Sequence, residues 1–110
     1  MVWERKGGAV VESKIKSDSI DELFQALLAL RDEEECYRFF ADLTTIPEIK
    51  SLAQRLQVAK MLMRNETYTV ISKATGASTA TISRVKNALY YGSDGYKLII
   101  DRLNNTEEGD

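Results

Sequence analysis

The 110-residue sequence has no histidine, one cysteine (Cys36) and one proline (Pro47). Without histidine, zinc fingers, His-based triads and imidazole acid–base catalysis are excluded. A single cysteine has no partner for an internal disulfide. No apolar run approaches the roughly 18–20 residues that cross a bilayer. The opening Met1-Val-Trp-Glu-Arg-Lys-Gly-Gly lacks the long apolar stretch of a secretory leader. These absences lead to the expectation of a cytoplasmic protein with no membrane partner. The 44% hydrophobic and 29% charged content is that of an ordinary globular chain, and the length suits one domain.

Net charge is also small, at −2, but it averages an uneven chain. Residues 1–48 carry eleven acids against six bases, whereas residues 49–103 carry nine bases against three acids. The last seven residues add three acids and no base. A phosphate-binding surface needs local positive charge, not a basic whole protein. Solvated helix faces produce the same asymmetry, so it decides nothing alone.

Residues 1–16 show no clear period and contain Gly7-Gly8, which predicts a flexible, partly disordered arm without strands. From Ser17 the pattern is helical. Ser19-Ile-Asp-Glu22 has the form of a capping box, followed by Ile20, Leu23, Phe24, Leu27 and Leu28 on one face. Asp32-Glu-Glu-Glu35 starts a second helix bearing Cys36, Tyr37, Phe39, Phe40 and Leu43. Thr45-Ile-Pro-Glu48 starts a third, since proline in the first turn loses no hydrogen bond. Its stripe is Ile49, Leu52, Ala53, Leu56, Ala59 and Met63, with Val58 and Leu62 beside it, and Asn65-Glu66 reads as its stop. Val70, Ile71 and Ala74 mark a short helix ended by Gly76, and Ser78 caps the next, with Ile82, Val85 and Leu89 inward. After the turn Gly92-Ser-Asp-Gly95, a last helix carries Tyr96, Ile99, Ile100 and Leu103 before a polar tail at 104–110. The fold class is all-α, with about six short helices. Residues 17–103 form the expected DNA-binding and dimerisation domain. The density of large apolar side chains in the first two helices and the last would leave hydrophobic patches on a monomer, so a homodimer is expected.

Residues 67–89 carry the functional signal. Two short helices meet at Gly76, where a left-handed backbone is cheap without a Cβ. The apolar positions on either side allow the steep packing of a helix-turn-helix. The second helix opens with Ser78, Thr79, Ala80, Thr81 and Ser83, all small and mostly hydroxylated. Small side chains let a helix approach the major-groove floor, and hydroxyls can meet phosphates or base edges. Lys73 and Lys86, with Arg84, supply phosphate charge nearby. Two helices and a glycine turn also occur in helical domains that never touch DNA, and that alternative stays open at this point.

Ser51-Leu-Ala-Gln-Arg-Leu56 followed by Gly76-Ala-Ser-Thr-Ala-Thr-Ile-Ser-Arg84 resembles the Trp repressor superfamily, and within it the YerC/YecD group of Trp-repressor-like proteins of Gram-positive bacteria. The strong resemblance spans residues 46–91. It implies an intertwined helical dimer with two reading heads on successive major grooves of a palindromic operator in double-stranded DNA. It also implies that positions matching Thr79, Ala80 and Ser83 face DNA; Lys73 and Lys86 are added for their charge.

The family's tryptophan-switched member holds its ligand between two arginines, matched here by Arg55 and Arg84, which are therefore possible effector-binding residues. The glycine beside the indole is Val85 here, the serine three residues further on is Ala88, and the threonine before the proline is Ile46. A valine would intrude where the flat ring lies, and the lost polar partners would leave an amino acid's charged groups underserved. Tryptophan is therefore not the expected effector, no cofactor is expected, and a structural role for Arg55 is preferred to a ligand role. Repression is preferred to activation, because the family resemblance points that way and the chain has little room for a polymerase-contacting domain.

An enzyme would need an activated nucleophile or acid–base groups in a cleft. Cys36, at helical spacing with Phe39 and Phe40, reads as buried packing, and Asp32–Glu35 reads as helix-start acids, not a metal site. No enzymatic activity is expected. The rival of a different kind is a helical protein-interaction module without DNA binding, using the Tyr37, Phe39, Phe40 and Tyr90-Tyr91 surface.

Overall fold

A computed structural model describes the backbone at residues 2–4, 10–12 and 14–109, and the side chains of residues 14–106. It divides into two compact units, residues 1–45 and residues 46–110.

In the first unit, β1 (Val2–Glu4) pairs antiparallel with β2 (Val10–Glu12), in the register Val2 to Glu12 and Trp3 to Val11. These strands correct the expectation of a strandless arm. Valines and a tryptophan favour extended pairing, but three-residue runs are too short to display a period. The remaining residues of the expected flexible arm up to residue 13 lie outside those described.

Helix α1 (Asp18–Leu28) is capped by Ser17, whose Oγ accepts from the Ile20 amide at 3.2 Å. The expected cap, Ser19, instead sits inside the first turn. Starting at Ser17 places Asp18 and Asp21 in that turn, where carboxylates meet the positive end of the helix, and Asp21 also pairs with Lys16. Helix α2 (Glu33–Leu43) starts as its sequence indicates. Asp32 accepts from the Glu35 amide and Glu35 accepts from the Arg31 amide, each at 2.9 Å. Phe39 and Phe40 meet edge-on with centroids 5.9 Å apart. Cys36 is only half-buried, against the expectation of full burial, because neither α1 nor α2 buries any residue.

The second unit holds the core. Helix α3 (Ile46–Met63) ends where Asn65 takes a left-handed φ of 61°. The Asn65 amide donates to the Leu62 carbonyl and the Glu66 amide to that of Met61, satisfying the last turn. Helices α4 (Tyr68–Thr75), α5 (Thr79–Tyr91) and α6 (Gly95–Gly109) follow, and α3 packs on all of them. The buried cluster is Val58, Ala59, Met61, Leu62, Ile71, Ala77, Ile82, Val85, Leu89 and Ile100.

Burial on α3 is confined to its C-terminal half; Leu52 and Ala53, expected in the stripe, are exposed. The reason is tertiary: Val58, Ala59, Met61 and Leu62 are the α3 residues that join the buried cluster. Ala74 is likewise exposed, and Ala77 in the turn is buried in its stead. Of the last helix's expected inward residues, Ile100 is buried and Tyr96 packs on the core, while Ile99 and Leu103 are exposed. Helix α6 also runs into the expected tail, since nothing after Leu103 breaks a helix before Gly109, and the Thr106 hydroxyl bonds back to the Arg102 carbonyl at 2.9 Å.

Candidate nucleic-acid interface

The turn between α4 and α5 is built from local chemistry. Thr67 caps α4, its Oγ1 accepting from the Val70 amide at 3.3 Å. Gly76 ends it at φ 75°, with its amide on the Ser72 carbonyl at 2.8 Å. The Thr75 hydroxyl donates to the Ile71 carbonyl at 2.8 Å and accepts from the Ala77 amide at 3.1 Å, bridging the corner. Gln54 of α3 adds a side-chain bond to the Thr75 carbonyl at 3.1 Å. Ser78 then caps α5 by accepting from the Thr81 amide at 3.1 Å. The outcome is a helix-turn-helix whose second helix is anchored by buried Ile82, Val85 and Leu89.

Those buried residues fix what α5 turns outward. Thr79, Ala80, Ser83, Arg84 and Lys86 are exposed, as are Ser78 and Lys73. Thr79, Ala80, Ser83 and Lys86 recur at helical spacing along one outer face. Ser78 and Thr81 are engaged with each other: besides the cap, the Ser78 hydroxyl donates to Thr81 Oγ1 at 3.1 Å. Thr81 is half-buried and turned to a different side of the helix. Lys73 lies in the last turn of α4, where a cation also suits the negative helix end.

Thr81 lines a cavity of about 240 Å³ with Arg55, Arg84, Val85, Ala88 and Tyr96. The two possible effector-binding arginines therefore share one cavity, one from α3 and one from α5. Among the described residues neither guanidinium is ion-paired, so the structural role preferred for Arg55 has no acidic partner there and both arginines keep donors for an anion. Val85 and Ala88, which replace glycine and serine of the resembled pattern, are part of the same wall.

Sequence reasoning missed two residues of this region. Tyr68, at the start of α4, packs its ring on the core and lies 3.2 Å, OH to Oγ, from Ser83. Lys86 Nζ stands 5.7 Å from the centre of the same ring. Tyr96 of α6 enters the cavity wall. Neither contact has a local signal, because each spans a turn between helices.

Comparison with known proteins agrees with this geometry. Residues 18–104 match the Trp repressor protein family. YerC, an uncharacterized protein of Bacillus subtilis (strain 168), is 57% identical over 94 residues, which is 86% of this chain and 90% of YerC. A crystal structure of a candidate Trp repressor from Staphylococcus aureus superposes with a TM-score of 0.80 at 56% identity, over 83% of this chain and 91% of that one. A TrpR-like protein from Eubacterium eligens ATCC 27750 gives the same TM-score at 54% identity, over 83% of this chain and 94% of its own. Matched to that family over residues 18–104, nearly all of its helical part, the chain belongs to the Trp repressor family.

Proposed function

We propose that this protein is a cytoplasmic transcriptional repressor that acts as a homodimer and reads a palindromic operator with the exposed face of α5. One observation carries the reading: α5 is anchored on one side by Ile82, Val85 and Leu89 and presents Thr79, Ala80, Ser83 and Lys86 on the other. A short, well-anchored helix with small side chains and flanking cations suits entry into a major groove. Lys73 and Arg84 extend the positive charge toward the phosphates. Ser78 and Thr81 are retained as candidate backbone contacts at the helix start, where amides and hydroxyls meet phosphate.

The homodimer is supported by apolar surface left uncovered in the single chain. Leu28 is 85%, Tyr37 72% and Ile46 69% exposed, apolar area whose burial against a second copy would favour association. No helix among the described residues is long and apolar enough to cross a membrane. The cavity between Arg55 and Arg84 suits a small anionic effector. Tryptophan is not the effector of this reading, since Val85 and Ala88 line the wall where a flat ring and an amino acid's polar groups would need room and partners. Catalysis has no part in it.

The test is a genome-wide binding selection with purified protein, at two salt concentrations and with and without tryptophan. A palindromic motif, salt-sensitive and indifferent to tryptophan, is the expected result. A motif recovered only with tryptophan would keep the regulator and overturn the assignment of the cavity. Failure to enrich any motif would overturn DNA reading in favour of a protein-interaction module, whose apolar contacts lack a steep salt dependence.

A further inference from the structure

Ser83 and Lys86 lie three residues apart on the outer face of α5, and one residue of the preceding helix touches both. Tyr68 is held by its ring against the core, so its hydroxyl is delivered from a fixed base. That hydroxyl lies 3.2 Å from Ser83 Oγ, and either oxygen can supply the proton. A phenol is the stronger donor of the two, because its oxygen lone pairs are drawn into the ring. The favoured arrangement therefore has Tyr68 donating and Ser83 accepting. The serine proton is then directed away from Tyr68, toward whatever faces α5.

We propose that Tyr68 is a positioning residue that sets the hydrogen-bond polarity of Ser83, making it a donor toward DNA. The inference rests on the DNA-reading function proposed above. An isolated serine hydroxyl rotates and serves any base as donor or acceptor. A serine that accepts from Tyr68 keeps a second lone pair, but its one proton is aimed outward, which biases it toward donating. It favours base edges that present an acceptor in the major groove, such as purine N7, guanine O6 or thymine O4, and disfavours the cytosine amino group. The Lys86 ammonium, 5.7 Å from the Tyr68 ring centre, is steadied by the same side chain through a cation–π contact. Tyr68 thus couples a specificity group and a charge on α5 to the capped start of α4.

Tyr68→Phe removes the hydroxyl and keeps the ring, so the core contact and the Lys86 contact survive. Ser83→Ala removes the other half of the pair at an exposed position, so it tests the same coupling without touching the core. Binding selections on wild type, both single variants and the double variant, with thermal unfolding of each, form the experiment. The expected result is a motif in which one position per half-site relaxes about fivefold in Tyr68→Phe, the loss of one directed hydrogen bond. The slope of affinity against salt stays that of wild type in Tyr68→Phe, because no phosphate contact is lost. The double variant discriminates no worse than Ser83→Ala alone, because both changes break one device. An unchanged motif in Tyr68→Phe, or additive losses in the double variant, would overturn the proposal and leave DNA reading intact. If wild type itself selects no motif, the underlying function fails and this inference with it.

Discussion

Two glycines show how a single residue's constraint depends on its surroundings. Gly76 holds φ 75°, yet a Cβ there would meet nothing nearer than Gln54 Nε2 at 4.0 Å. Its requirement is conformational only. Gly92 has an ordinary negative φ, but a Cβ there would come within 2.3 Å of the Ala88 carbonyl oxygen. That oxygen also receives the Gly92 amide at 2.9 Å, so it cannot withdraw without opening the end of α5. Gly76→Ala should therefore cost about 1 kcal/mol, the usual strain of a left-handed alanine. Gly92→Ala should cost more, upwards of about 2 kcal/mol, as a backbone clash. Urea unfolding of the two variants tests the order; an equal or reversed ranking would show that the α5–α6 turn relaxes freely. The need for glycine at position 76 was legible from the sequence, because a helix stop is a local event. The clash at Gly92 was not, since only folded coordinates show which atom a side chain would strike.

At the level of elements, caps decide where helices begin, and α5 offers a way to separate its stability from its reading. Ser78 satisfies the Thr81 amide and hydroxyl in one place. Ser78→Ala should lower stability by about 1 kcal/mol, the ordinary worth of an N-cap. Ser78→Asp should keep the cap, since aspartate caps as well as serine and its charge suits the helix N-terminus. On the proposed interface the same charge faces phosphate and should remove most DNA affinity. Thermal unfolding and DNA titration of the pair check this split; retained DNA affinity in Ser78→Asp would move the reading head elsewhere. The helix-turn-helix itself could be read from sequence, because Ile71, Gly76, Ser78, Ile82, Val85 and Leu89 all signal within one or two turns of their neighbours. The start of α1 could not be settled so simply. Ser17 and Ser19 are both competent caps, and the choice of Ser17 goes with the acids at Asp18 and Asp21 and the Lys16 pairing.

For the molecule as a whole, the open question is what covers its apolar surface. No residue of α1 or α2 is buried, although both are amphipathic and carry Leu, Phe and Tyr. A homodimer would cover such surface, and sedimentation at micromolar concentration should return a dimer. A stable monomer there would overturn the proposed assembly, and with it the two-headed reading of a palindrome. Charge distribution enters at the same scale. The net −2 is no obstacle to DNA binding, because the bases concentrate in residues 49–103, which contain the helix-turn-helix.

Taken alone, the sequence determined the helical class, the six helices in order, the glycine turn and the buried face of α5. These follow from capping and periodicity, which act over a few residues and leave their mark there. It also named Thr79, Ala80, Ser83 and Lys86, whose outward position follows once Ile82, Val85 and Leu89 are buried. The family resemblance had already brought Arg55, Arg84 and Val85 to one site, and they line one cavity; only the tertiary structure decided which half of α3 enters the core and that the Tyr68 hydroxyl meets Ser83. Each of those joins residues many positions apart, and such contacts are set by how helices cross, for which no periodic signal in the chain is a guide.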